Sequence, residues 1–290
     1  MPVDLTQPPG ELLSPTRAPR RREVAMANGI LMEMTIDQVR AFRTEVVVIG
    51  LASVEPHGPA LPYGTDHYQC DAAVRGGVLR ANARGARALM YPTLPVGNNV
   101  NFQAFPFACR VGVQTLMRVL SDVIEALEAD GVRKIVLFNG HGGNTDAIRA
   151  ALRAHAGAHR PGEGAFVCMT SGPPGLERPP FVEQPSDHGG ESETSRMLHL
   201  RGDLVRSDRI GVCPFGTLAV DALAAGGVHF VRPWHGHVPA SAGGDATAAS
   251  AEKGRALLEA EAEHLAALLV QLTEADWTDA FPYTQGTDLT

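Results

Sequence analysis

Residues 46–52 read VVVIGLA, an unbroken apolar, largely β-branched run, and the polar, turn-rich stretch SVEPHGPALPYGTDHY follows it over 53–68. Runs of similar character occupy 88–94, 134–138 and 165–169 and are read as strands. Between the second and third strands, Val113, Leu116, Met117, Leu120, Ile124 and Leu127 recur at helical spacing, as do Leu258, Leu265, Leu269 and Leu272 near the C-terminus. Strands alternating with amphipathic helices predict an α/β, single-domain, three-layer fold with a mostly parallel sheet flanked by helices, and both stripes are assigned to its core. Such a sheet carries its site beyond the carboxyl ends of its strands, so chemistry is expected in the loops after Ala52 and Phe138.

The domain is expected over residues 32–278, between a proline-rich, disordered extension at 1–28 and a short tail at 279–290. The basic run Arg20, Arg21 and Arg22 could belong to an export signal, but the residues after it lack a clean apolar segment. The 25 Lys+Arg against 32 Asp+Glu leave a net charge of -7, which removes the electrostatic basis for binding nucleic acid or anionic lipid. No apolar run approaches the roughly 18 residues of a spanning helix, so no membrane partner is expected. Cys70, Cys109, Cys168 and Cys213 are scattered without a CxxC pair, which fits a reducing, cytoplasmic setting.

Three segments concentrate the ligating side chains. In the first, Glu55 and His57 stand two apart, on one face of an extended backbone, and Asp66 returns after a Gly/Pro-rich turn. Asp66 also reads as a first-turn carboxylate favoured by a helix dipole. In the second, FNGHGGN, glycines leave the His141 ring unobstructed. A phosphate cradle there would need glycine where Thr145 sits, and no Walker lysine follows. The third, SDHGGESETSRML, gathers Asp187, His188, Glu191 and Glu193 before a helix, and alone it reads equally as a capped helix start with Ser192 or a neighbour as cap. Together Glu55, His57, Asp66, His141 and Glu193 form a nitrogen and oxygen ligand set without thiolate, suited to one or two divalent ions such as Zn, Mn or Fe.

EPHGPALPYGTD, FNGHGGN and HGGESETS, in this order and at these separations, resemble the creatininase (creatinine amidohydrolase) family over nearly the whole chain from Met32 onward. The resemblance implies an α/β fold with a dinuclear metal centre, hydrolysis of amide C–N bonds other than peptide bonds, and a homo-oligomer that in many members is a hexamer. It makes Glu55, His57 and His141 terminal ligands and Asp66 the bridging carboxylate. Creatininase has a glutamate two residues after the histidine of its NGH motif, where this chain has Gly143, so the last carboxylate ligand is assigned to Glu193. His188 matches the histidine that opens the third motif and is the expected proton shuttle, a role its titration near neutral pH suits.

Two ions would lower the pKa of water toward about 7, and the absence of a GxSxG elbow agrees with a mechanism that has no serine nucleophile. The same chemistry applied to an ester or an activated C–C bond, as in a lactone or cyclic diketone of sugar or inositol breakdown, is the alternative activity, and a silent binding module is the remaining one. Pro56 and Ala60 stand where many members have glutamine and a second histidine. GNNVNFQAFPFA replaces an acid, a histidine and an FPGT run, putting Asn101, Phe102, Phe107 and Ala108 at those places. Asn101 and Phe102 are therefore expected at the substrate's end of the site, with creatinine itself rejected. His235, with His237, is either a further substrate contact or a loop residue; His67 is expected just behind the ligands, and His155, His159, His199 and His264 at the surface.

Overall fold

The computed structural model describes residues 28–160, 162–175, 179–184 and 186–284; the N-terminal extension up to residue 27, with its arginine run, lies outside them. After a short helix α1 (Ile36–Phe42), the chain enters β1 (Val46–Leu51), α2 (Thr65–Ala83), β2 (Ala88–Leu94), α3 (Val113–Ala129), β3 (Lys134–Asn139), α4 (Thr145–Ala158) and β4 (Phe166–Thr170). The four strands pair in parallel in the order β2-β1-β3-β4. The strand boundaries match the sequence reading to within a residue.

Successive side chains of β1 point to opposite layers. Val46 and Val48 pack with Val74, Val78, Leu265 and Leu269, which belong to α2 and to the long C-terminal helix, whereas Val47, Ile49 and Leu51 pack with Leu116, Leu120, Ile124 and Ile148 of α3 and α4. Burial on both faces explains why the run does not alternate. The leucine stripes are core, as expected. Val113, by contrast, is 39% exposed and looks out over the carboxyl end of the sheet.

Beyond β4 the chain forms a second, antiparallel sheet that the sequence did not reveal. It comprises β5 (Ser186–His188), β6 (Val212–Cys213) and β7 (Gly243–Asp245), in the order β5-β7-β6. Its strands are two or three residues long, too short for any period to register. Between them lie α5 (Glu191–Arg201), α6 (Asp221–Ala224) and α7 (Trp234–His237), and α8 (Ala251–Glu274) closes the fold against α2 and α5. Gly190, not Ser192, occupies the N-cap of α5, and no side chain caps it. Phe281 packs edge-on against Phe166 and stacks on Trp277, so ordered packing continues past Thr278.

The order β2-β1-β3-β4 reverses direction between β1 and β3. The crevice at their carboxyl ends is where an open α/β sheet receives its ligand, and both motif loops leave from it. All four cysteines are unpaired, and no described helix is long and apolar enough to cross a membrane.

The side chain of Leu120 is fully buried between α3 and the sheet, so Leu120→Ala should cost about 2–5 kcal/mol in urea unfolding; a cost below about 1 kcal/mol would show that this layer repacks freely.

Candidate metal centre

The loop after β1 carries Glu55 and His57, the first turn of α2 carries Asp66, the loop after β3 carries His141, β5 ends on His188, and the first turn of α5 carries Glu193. All six meet in the crevice. Glu55, His57, Asp66, His141 and His188 are buried, and the Glu193 side chain is 25% exposed. Asp66 thus fills both roles the sequence allowed it, first-turn carboxylate and site residue.

Each of the three histidines is held in the same way. His57 donates from Nδ1 to the Glu55 carbonyl (3.0 Å), His141 from Nε2 to the Asn98 carbonyl (3.1 Å), and His188 from Nε2 to the Pro56 carbonyl (2.8 Å). The other nitrogen of each ring then turns toward carboxylate. His57 Nε2 lies 3.0 Å from Asp66 Oδ1 and 3.8 Å from Glu193 Oε2. His141 Nδ1 lies 3.0 Å from Asp66 Oδ2 and 3.3 Å from Glu55 Oε2, and His188 Nδ1 lies 3.7 Å from Glu55 Oε1. A backbone carbonyl that fixes one ring nitrogen and aims the other at acids is how proteins orient an imidazole for a metal.

Asp66 presents one oxygen to His57 and the other to His141. It is therefore shared by two groups with ligand atoms within 4.8 Å of one another, Glu55–Asp66–His141 and His57–Asp66–Glu193. Glu55 Oε2 and Asp66 Oδ2 are buried with only His141 Nδ1 near them, at 3.3 and 3.0 Å, one ring nitrogen for two carboxylate oxygens. Buried carboxylate oxygens short of donors are costly unless a cation completes them, so the residues present fit divalent metal.

The electrostatics agree. Burial pushes the Glu55 carboxyl up to about 7, with His141 opposing the rise and the Asp66 charge adding to it. Burial also raises Glu193. Burial opposes ionisation of Asp66 as well, but His57 and His141 hold it well below the usual carboxylate range. Burial disfavours charge on the rings too, yet Asp66 and Glu193 bring His57 up to about 10, and Glu55 and Asp66 bring His141 up to about 9. Two protons thus stand where positive charge is needed. His188 departs from the titration near neutral pH expected from its residue type: burial, and then the charge on His57, lower it to about 3.

Glycines enforce this geometry at two points. A Cβ on Gly143 would lie 2.2 Å from the Asn98 carbonyl oxygen and 2.4 Å from His141 Nε2, inside the hydrogen bond that orients His141. The backbone there excludes the glutamate of the creatininase pattern. Gly189, at φ +67, donates its N–H to Glu193 Oε2 at 2.5 Å and would carry a Cβ 2.8 Å from that of Ala242.

Around the centre, Asn101 lines the cavity as expected, together with Asn98, Val113, Asp146 and Arg232, and the cavity measures about 390 Å³. Phe102 does not. It is buried with Trp234 and packs edge-on against His188, supporting the ring from behind. His235 is exposed on α7 and does not line the cavity; its neighbour Trp234 does, and His237 pairs with Arg232. Both had been read from local sequence, which does not tell which way a short helix faces. Phe107 is 89% exposed and Ala108 is buried. His199 is exposed, but His155, His159 and His264 are partly buried and hydrogen-bonded rather than solvated. Asn98 and Trp234 are among the cavity residues that sequence reasoning missed, as are Asp146 and Arg232: Asn98 acts through its backbone carbonyl, and Trp234 sits in a segment without periodicity.

Residues 32–269 match the family described as creatininase, creatinine amidohydrolase. The chain belongs to the creatininase family. It is 31% identical to the mycofactocin precursor peptide peptidase of Mycobacterium ulcerans over 72% of this chain and 78% of that one. It is also 26% identical to the 3-dehydro-scyllo-inosose hydrolase of Thermotoga maritima, over 83% and 82% of the two chains. A crystal structure of a Zn–Zn type mutant creatininase superposes with a TM-score of 0.67 at 26% identity, covering 86% of this chain and all of the other. As a creatininase-family hydrolase, the protein binds divalent metal.

Excess manganese at about 100 times its dissociation constant should stabilise chelator-treated protein by about 2.7 kcal/mol, seen as a raised Tm, and Asp66→Asn should remove most of that rise. An unchanged rise in the variant would show that Asp66 holds no ion.

Proposed function

We propose that this creatininase-family hydrolase cleaves the C–N bond of a linear or cyclic amide, with two divalent ions held by Glu55, Asp66 and His141 on one side and by His57, Asp66 and Glu193 on the other. The observation that carries this reading is Asp66, which faces one histidine with each oxygen while Glu55 Oε2 and Asp66 Oδ2 have one ring nitrogen between them. When bound, such ions lower the pKa of water and polarise a carbonyl oxygen. The chain supplies the proton traffic. The Nε2–H of His188 is committed to the Pro56 carbonyl, and its Nδ1 faces the centre beside Glu55. It is therefore placed to accept the proton of the attacking water at Nδ1 and pass it to the departing nitrogen. Phe102 and Trp234 hold the ring edge-on so that it does not turn away.

The cavity mouth shapes substrate choice. Asn101 offers an amide, Val100, Val113 and Val231 are apolar, and Asp146 and Arg232 add one charge of each sign. Such a lining favours a neutral, polar molecule over a cationic ring. Assembly into a homo-oligomer belongs to the same reading and is supported by Val212, Val220, Val228 and Val231, each more than half exposed along one connecting region. The unpaired cysteines support a reducing compartment.

His188→Ala should lower turnover by roughly 10² to 10⁴ while metal content is kept; loss of metal in this variant would make His188 a ligand instead. A panel of formamides, small amides, lactones, cyclic ketones and creatinine should show amine release from an amide, with creatinine turned over at a kcat/KM below about 10⁴ M⁻¹s⁻¹. Turnover confined to a lactone or ketone would replace amide hydrolysis with the ester or C–C reading, which the Thermotoga maritima relative's name supports.

A further inference from the structure

At the opposite pole of the sheet, beside the amino end of β4, a second set of ligating side chains converges. Glu128 comes from the last turn of α3, His155 from the last turn of α4, and His159 from the residue that caps α4. Their ligand atoms lie within 4.8 Å of one another. His155 Nε2 is 3.6 Å from Glu128 Oε1, and His159 Nε2 is 3.7 Å from Glu128 Oε2. The edge of a tetrahedron with zinc–ligand bonds of about 2.0 Å is roughly 3.3 Å, so a few tenths of an ångström separate this arrangement from a coordination shell.

We propose that Glu128, His155 and His159 form a transition-metal site, of the two-histidine, one-carboxylate type that suits zinc, distinct from the hydrolytic centre. His155 in the last turn of α4 and His159 at its C-cap stand four apart, and their rings lie 4.5 Å apart between centroids. His159 is already in ligand form: its Nδ1 donates to the His155 carbonyl at 2.9 Å, which leaves the Nε2 lone pair toward Glu128. Glu128 is oriented by the Ala165 N–H, which donates to Oε1 at 2.6 Å, while Oε2 faces His159. His155 Nε2 donates to the Ala165 carbonyl at 3.0 Å, so for it to hold an ion this hydrogen bond would be given up and the proton moved to Nδ1. The side chains of His155, Glu128 and His159 are 12%, 18% and 31% exposed. The two histidines border a cavity of about 440 Å³, lined by Leu152, Phe166, Trp277 and Phe281 together with Arg160 and Asp279, through which an ion could reach them.

An ion there would tie together the ends of α3 and α4 and the entry to β4. No motif revealed the site, because Glu128 is 27 positions from His155 in the chain (155 minus 128) and the pair His155 and His159 reads as an ordinary polar helix face.

Zinc uptake by the full-length protein, measured by competition with a chromophoric chelator, is the test. Wild type should bind one zinc equivalent more than His159→Ala and one more than Glu128→Gln, with the manganese-dependent rise in Tm kept in both variants. The second substitution preserves side-chain shape and so reports on the site even where the first disturbs folding. Equal zinc uptake by wild type and Glu128→Gln would overturn the proposal.

Discussion

The structure is organised around one electrostatic problem: Glu55, Asp66 and Glu193 converge in one crevice, the first two buried and the third a quarter exposed. Desolvating a carboxylate costs several kcal/mol even after relaxation, and placing three side by side adds mutual repulsion. Their ion-pair partners are histidines, and this is why His57 and His141 hold protons far above their ordinary range in the metal-free chain. Protons there occupy the electrostatic place of divalent cations. The acids and the ions they would hold are two halves of one charge balance, so site and fold depend on each other.

The rest of the crevice serves to make the balance geometric. Every imbalance of charge could be relieved by rotating a ring outward, and the backbone carbonyls of Glu55, Pro56 and Asn98 prevent that. Asn98 is held in turn by Asn144, whose side-chain oxygen accepts the Asn98 N–H and whose amide donates to the Ala52 carbonyl. Loops after β1, β2 and β3 are thus locked to one another by polar contacts that leave the ligating atoms alone. His188 shares the backbone anchor and the nearby Glu55, but burial and the charge on His57 keep its ring from gaining a proton, and Phe102 and Trp234 pack against it.

Much of the site was legible because its residues are local to strand ends. Glu55 and His57 are two apart in extended chain, His141 follows β3 directly, and Glu193 sits in the first turn of α5, so secondary structure alone places them at one end of the sheet. The residues misjudged are those whose role depends on facing. Phe102 and His235 have the right chemistry in the right segment, yet one turned into the core and the other out to solvent. Trp234 took the place expected of its neighbour. The small sheet β5-β7-β6, which carries His188, has too few residues per strand for a pattern, and Gly243 and Gly244 in β7 carry no side chain to mark it.

By itself the sequence determined the layer architecture and singled out the acids and histidines that the fold gathers in one crevice, since hydrophobic periodicity and residue chemistry are properties of short segments. The tertiary structure alone decided that Asp66 shows one oxygen to each of two histidines, that Gly143 leaves no room for a carboxylate, and that Glu128 meets His155 and His159 at the far end of the sheet. Those are distances between atoms brought together by packing from separate elements, and no local rule of helix or strand contains them.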